Sequence, residues 1–121
     1  MKLVKHEPET RALQEWVTSE SASFVSSRLL RIEMTRAALQ SAPSRLPAVL
    51  AVLEAVEMLA ISSHVADDAL RVGLPALRSL DAIHLASALA VHGDIDAILT
   101  YDVRMAESAR LHGLPVIAPG A

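Results

Sequence analysis

The chain has 121 residues, 14 of them acidic against 11 basic, for a net charge of −3, and it contains no cysteine. That length suits one domain spanning residues 1–121 with a genuine core, and the absence of thiols excludes disulfides, thiolate zinc sites and cysteine nucleophiles and fits a reducing, cytoplasmic setting. The acidic balance argues against a whole-surface DNA binder, and with aromatic residues at only 2% (Trp16, Phe24 and Tyr101) successive base stacking on rings is a poor model.

The N-terminal MKLVKHEPETR lacks the apolar core of a signal peptide, and no apolar run reaches the ~20 residues needed to cross a bilayer. A first helix is expected over Glu7 to Thr18, with acids in its first turn where the helix dipole favours them. Ser21 to Ser26 reads as a short strand around Phe24 and Val25, feeding a helix over Ser27 to Gln40. After Pro43, LPAVLAVLEAVEML reads as a third helix ending near Met58, with Leu46, Val49, Leu50, Leu53, Val56 and Leu59 inward. Ala60 to His64 suits a brief buried strand, and Val65 to Val72 a short helix closed by Gly73.

Ser79 is a plausible cap for a helix over Leu80 to His92, closed by Gly93, whose apolar residues nearly encircle it. Ile95 to Thr100 reads as a strand, Val103 to His112 as a helix ended by Gly113, and Pro115 to Ala118 as a last short strand. Strands alternating with helices of this length indicate an α/β fold with a parallel sheet covered on both faces. In such sheets ligands bind outside the carboxyl ends of the strands. Asp102 stands at one of those ends.

Three acids occupy apolar or strand-end positions: Glu33 within SRLLRIEMTRAAL, Asp81 in the first turn of SLDAIHLASA, and Asp102 just past ILTY. Each has a plainer role open to it. Glu33 can pair with Arg36 at i, i+3, Asp81 can complement the helix dipole, and Asp102 can cap the helix that follows. Converging on one crevice, however, the three would repel unless a hard cation neutralised them, and oxygen ligands select Mg²⁺ or Mn²⁺. Such an ion suits phosphodiester hydrolysis. His6, His64, His84, His92 and His112 form no zinc-type spacing, and His84, three residues after Asp81, reads as a packed histidine ahead of a catalytic one. Thr100 offers a hydroxyl beside Asp102. Arg28, Arg31 and Arg36 cluster in one segment, either as a solvated helix face or as a local nucleic-acid contact.

The chain resembles the PIN-domain ribonucleases, and within them the VapC-type toxins, in four pieces: HEPET (His6 to Thr10), SSRLLRIEMTRA (Ser26 to Ala37), LRSLDAIHLASAL (Leu77 to Leu89) and ILTYDVRMAESARLHGLPVIAPG (Ile98 to Gly120). The resemblance implies a three-layer α/β/α fold with a short parallel sheet and an endoribonuclease using Mg²⁺ or Mn²⁺. It places Glu33, Asp81 and Asp102 at the second, third and fourth acids of the family's metal-binding quartet, with Thr100 at the accessory hydroxyl position; in the ribonuclease reading, Arg28 or Arg31 from the arginine cluster would touch RNA phosphate. It also implies a homodimer and a cognate VapB-type antitoxin whose tail enters the active site. The family's central first strand and first acid have no counterpart, because Met1 to Lys5 corresponds to the helix that follows them. The expectation is therefore an N-terminally truncated domain with weakened activity. The alternative is an inactive module that still dimerises and binds an antitoxin.

Overall fold

The computed structural model describes residues 24–118 and divides into two compact units, the first reaching Met58 and the second running from Leu59 to Ala118. The helix expected over Glu7 to Thr18 and the first residues of the Ser21 to Ser26 strand lie outside the described residues. Strands and helices alternate, as the α/β reading requires.

In the first unit, β1 (Phe24–Ser27) leads into α1 (Leu29–Ser41), a 3₁₀ turn (Pro43–Arg45), α2 (Leu46–Glu54) and β2 (Val56–Leu59, whose last residue opens the second unit), which pairs with β1. The helix α1 stops where Ala42 leaves helical geometry before Pro43, since a residue preceding proline is pushed away from the α region. Pro47 is tolerated in the first turn of α2, where its missing N–H has no intrahelical partner to lose. Met34 and Ala38 of α1 lie one turn apart and close on Val49 and Leu53 of α2, with Leu30, Leu46 and Met58 packed around them. Burial of each of the larger side chains contributes about 1.5–3 kcal/mol by transfer from water.

The helix expected to continue to Met58 ends instead at Glu54. The Ala55 N–H reaches back only to the Val52 carbonyl at 3.0 Å, a tightened last turn, and Val56–Leu59 becomes a strand. The spacing of Val56 and Leu59 fits a helix face, but β-branched and long apolar residues serve a strand equally, and pairing with β1 decides. The strand expected over Ala60 to His64 is therefore absent: its first residues are irregular, and Ser63 already belongs to the next helix.

The second unit begins with α3 (Ser63–Ala69), capped by Ser62, whose Oγ accepts from the Val65 N–H at 3.2 Å. It continues through a loop to α4 (Ser79–Ala90), a 3₁₀ turn (His92–Asp94), β3 (Ile98–Leu99), α5 (Val103–Leu111) and β4 (Val116–Ile117). The strands β3 and β4 run parallel, with Ile98 opposite Val116 and Leu99 opposite Ile117. Leu85, Met105, Ala109 and Leu114 form the buried core, and Val72, Leu77, Leu89 and Ile98 pack against it.

Several boundaries differ from expectation for identifiable reasons. Arg78, not Ser79, holds the cap position of α4, and it makes no side-chain cap. Gly93 does not close α4; the chain leaves the helix at Val91 and turns through a 3₁₀ segment, and Gly73 and Gly113 are the described glycines with positive φ. The helix α4 is also less encircled than its composition implies, because Leu80 is half exposed. The strand expected over Ile95 to Thr100 is paired only at Ile98–Leu99. On one side Pro115 accepts from the Ile98 N–H but has no N–H to return, and on the other the chain turns into α5.

Gly113 behaves as its position implies. At φ +80° it lets the Leu114 N–H reach the Ala109 carbonyl (3.0 Å) and its own N–H reach that of Arg110 (2.9 Å), the paired bonds of a Schellman stop. Gly73, at φ +74°, turns the loop before α4 against α5, where the Gly73 N–H donates to His112 Nε2 (2.9 Å) and the Leu74 N–H to the buried Ser108 Oγ (3.0 Å). Among the described residues no helix is long and apolar enough to cross a membrane.

Candidate functional site

The ladder between β3 and β4 ends where the Thr100 N–H donates to the Ile117 carbonyl at 3.1 Å. From there Thr100 bends the chain: its Oγ1 accepts from the Asp102 N–H at 3.1 Å. Asp102 then caps α5, with Oδ1 accepting from the N–H groups of Arg104 (2.8 Å) and Met105 (3.1 Å). Both cap bonds use the same oxygen. Among the described residues Oδ2 accepts no hydrogen bond, so capping leaves half of this carboxylate available to a ligand.

Asp102 opens into a cavity of about 350 Å³ lined by Arg78, Asp81, Val103 and Arg104 as well. Asp81 is the acid in the first turn of α4 and is half-buried. The cavity is therefore built at two helix starts beside the carboxyl end of β3, where the parallel-sheet rule places a ligand. Its formal charges are two carboxylates and two guanidiniums. A second cavity of about 320 Å³, lined by the loop after α3, has no acidic side chain.

The structure thus brings Asp81 and Asp102 to one pocket. Thr100 does not line that pocket; its hydroxyl oxygen is used on the backbone of Asp102. Glu33 is half-buried on α1, next to the buried Met34, and belongs to the first unit. Arg28 and Arg31 belong to that unit too, Arg28 at the cap position of α1 and both exposed. Among the described residues no group of three or more Asp, Glu, His or Cys side chains is arranged to hold a metal ion. The pair in the pocket nonetheless fits a hard cation, because Mg²⁺ keeps several waters and needs only one or two protein carboxylates beside substrate oxygens.

Arg78 and Arg104 are the residues that reading the sequence missed. Arg28, Arg31 and Arg36 stand out there as a cluster, whereas each pocket arginine stands alone. The signal was local: Arg78 precedes Asp81 by one helical turn, and Arg104 follows Asp102 inside the first turn of α5.

The PIN domain family model matches residues 1–111. Among characterised proteins, ribonuclease VapC35 of Mycobacterium tuberculosis is 37% identical over 123 residues, covering 99% of this chain and 91% of that protein. Ribonuclease VapC47 of the same species is 35% identical, with the same shares covered. Ribonuclease VapC46 is 38% identical over 119 residues, 98% of this chain and 91% of its own length. No solved structure matches the chain significantly.

Proposed function

The chain belongs to the PIN-domain family, in its VapC-type branch, and on that premise we propose that it is a divalent-metal-dependent endoribonuclease, the toxin of a type II toxin–antitoxin pair. The observation that carries the reading is the pairing of Asp81 and Asp102 in one pocket at the carboxyl end of β3. The ribonuclease names of the relatives support the substrate class.

In this reading Asp81 and Asp102 hold Mg²⁺ or Mn²⁺; Glu33, in the first unit, is a ligand candidate by family resemblance alone. Bound there, the ion supplies an activated water and charge stabilisation for in-line phosphodiester hydrolysis. The chain's own contribution is orientation. Asp102 is fixed through Oδ1 by two backbone N–H groups, which holds its carboxylate in one orientation and leaves Oδ2 available as a ligand atom. Thr100 sets the backbone of Asp102 through the bond to its N–H, and so acts on the site as a positioning residue. Residues at the starts of α4 and α5 line this pocket, where the positive ends of the two helix dipoles would favour a phosphate group. The partners that go with this reading are an RNA substrate, a VapB-type antitoxin and a second copy of the chain, in the cytoplasm.

The test is cleavage of single-stranded RNA by the purified chain with Mg²⁺ or Mn²⁺ and with EDTA. Cleavage should require the metal and be lost in Asp81→Asn and Asp102→Asn, with Glu33→Gln read in parallel. Cleavage that survives both aspartate variants overturns the site. A chain that cleaves nothing yet captures an antitoxin is the inactive, antitoxin-binding module instead.

A further inference from the structure

We infer that Arg78 and Arg104 form the phosphate-binding clamp of this site, gripping the backbone of a single-stranded RNA at the cavity they line together with Asp81 and Asp102; the inference rests on the ribonuclease reading above. Both arginines line the cavity that holds the two aspartates, and both are exposed. Neither guanidinium forms a salt bridge or hydrogen bond with any described residue, although two carboxylates line the same cavity. Arginine satisfied by its neighbours has little left to offer a ligand. Among the described residues these two keep their planar N–H donors unused, the geometry that matches phosphate oxygens two at a time.

Their placement explains how an acidic pocket accepts a polyanion. The two aspartates alone would repel RNA. With Arg78 and Arg104 the pocket is formally neutral before any cation enters, and it becomes net positive when a divalent ion binds. Arg78 holds the cap position of α4 and Arg104 the first turn of α5, so the two cations stand at the two helix starts whose dipoles also favour an anion. The exposed Arg28 and Arg31 belong to the first unit and line neither of the two cavities described above.

The test uses a fluorescein-labelled single-stranded RNA oligonucleotide in EDTA, where binding is read by anisotropy and no metal-dependent cleavage intervenes. Arg78→Gln and Arg104→Gln should each weaken binding about 3- to 10-fold, and each should flatten the slope of log K against log salt by about 0.7, the value for one fewer phosphate neutralised on a single strand. Arg78→Lys and Arg104→Lys keep the point charge and should keep the slope. Asp81→Asn and Asp102→Asn should shift binding the opposite way, tightening it in EDTA while abolishing cleavage in Mg²⁺. Unchanged affinity and slope in both Gln variants overturn the clamp while leaving the ribonuclease reading intact, provided the Asn variants lose cleavage. Failure of the wild-type chain to cleave RNA with metal overturns the reading beneath it, whatever the arginines do.

Discussion

Replacing Gly73 with alanine asks whether the loop before α4 is held as tightly against α5 as its geometry indicates. At φ +74° an L-residue is strained by about 1–2 kcal/mol. The added Cβ would also meet Leu77 Cδ2, Ser108 Cβ and Ser108 Oγ, all at 2.9 Å. Leu77 Cδ2 ends a flexible side chain and can move aside, but Ser108 Cβ is fixed to the backbone of α5. Overpacking of that kind costs about 1–3 kcal/mol, and the reduced freedom of the unfolded chain returns about 0.4–1 kcal/mol. The expected loss for Gly73→Ala is therefore about 2–4 kcal/mol.

Gly113 provides the control. Its φ is +80° and nothing lies within 4 Å of the Cβ position, so Gly113→Ala carries the backbone cost alone, about 1 kcal/mol. Urea unfolding of wild type and both variants at one temperature, with the slope m compared as well as the midpoint, separates the two effects. Equal destabilisation by the two alanines would refute the close approach to Ser108. Trimming Leu77 in the Gly73→Ala background should recover little, since that side chain is the yielding one.

Asp102→Ala should lose about 1 kcal/mol of stability as the α5 cap disappears, whereas Asp102→Asn should stay within a few tenths while losing cleavage; equal melting of the two would mean the cap bonds contribute nothing. Ser108→Ala strands the Leu74 N–H and should destabilise by about 1–3 kcal/mol in the same urea assay. Leu85, fully buried at the centre of the second unit's core, should cost about 2–5 kcal/mol on truncation to alanine, and Met34→Ala should do the same for the first unit.

The elements most legible in the sequence were those with chemistry at their ends. Asp102 marked both the end of β3 and the start of α5, and Gly113 marked the end of that helix, because cap and stop are local events that a few residues decide. The segment Val56 to Leu59 was not legible, since its apolar spacing satisfies a helix face and a strand equally and a partner strand far away in the sequence settles it. Ser79 misled because a good capping residue one position late becomes the first helical residue instead. For the site, single carboxylates at a strand end and a helix start pointed to the pocket that Asp81 and Asp102 share. Arg78 and Arg104 did not stand out, because nothing in a one-dimensional reading distinguishes two isolated arginines from the other exposed ones until α4 and α5 start at the same place.

The strands β3 and β4 contribute only two residues each, and α5 runs from one to the other, so both ends of that helix are moored in a single short ladder. A slip of one residue there would carry one strand about 3.3 Å along its neighbour and turn every side chain to the opposite face. Asp102 sits just past the ladder and would be mis-set by a whole bond-forming distance. Residues 113–117 carry no reactive group, yet they act as the gauge against which a carboxylate is set. A substitution at Leu114 or Val116 that abolishes activity in a protein that still folds therefore reports a shifted register, and not a lost reagent.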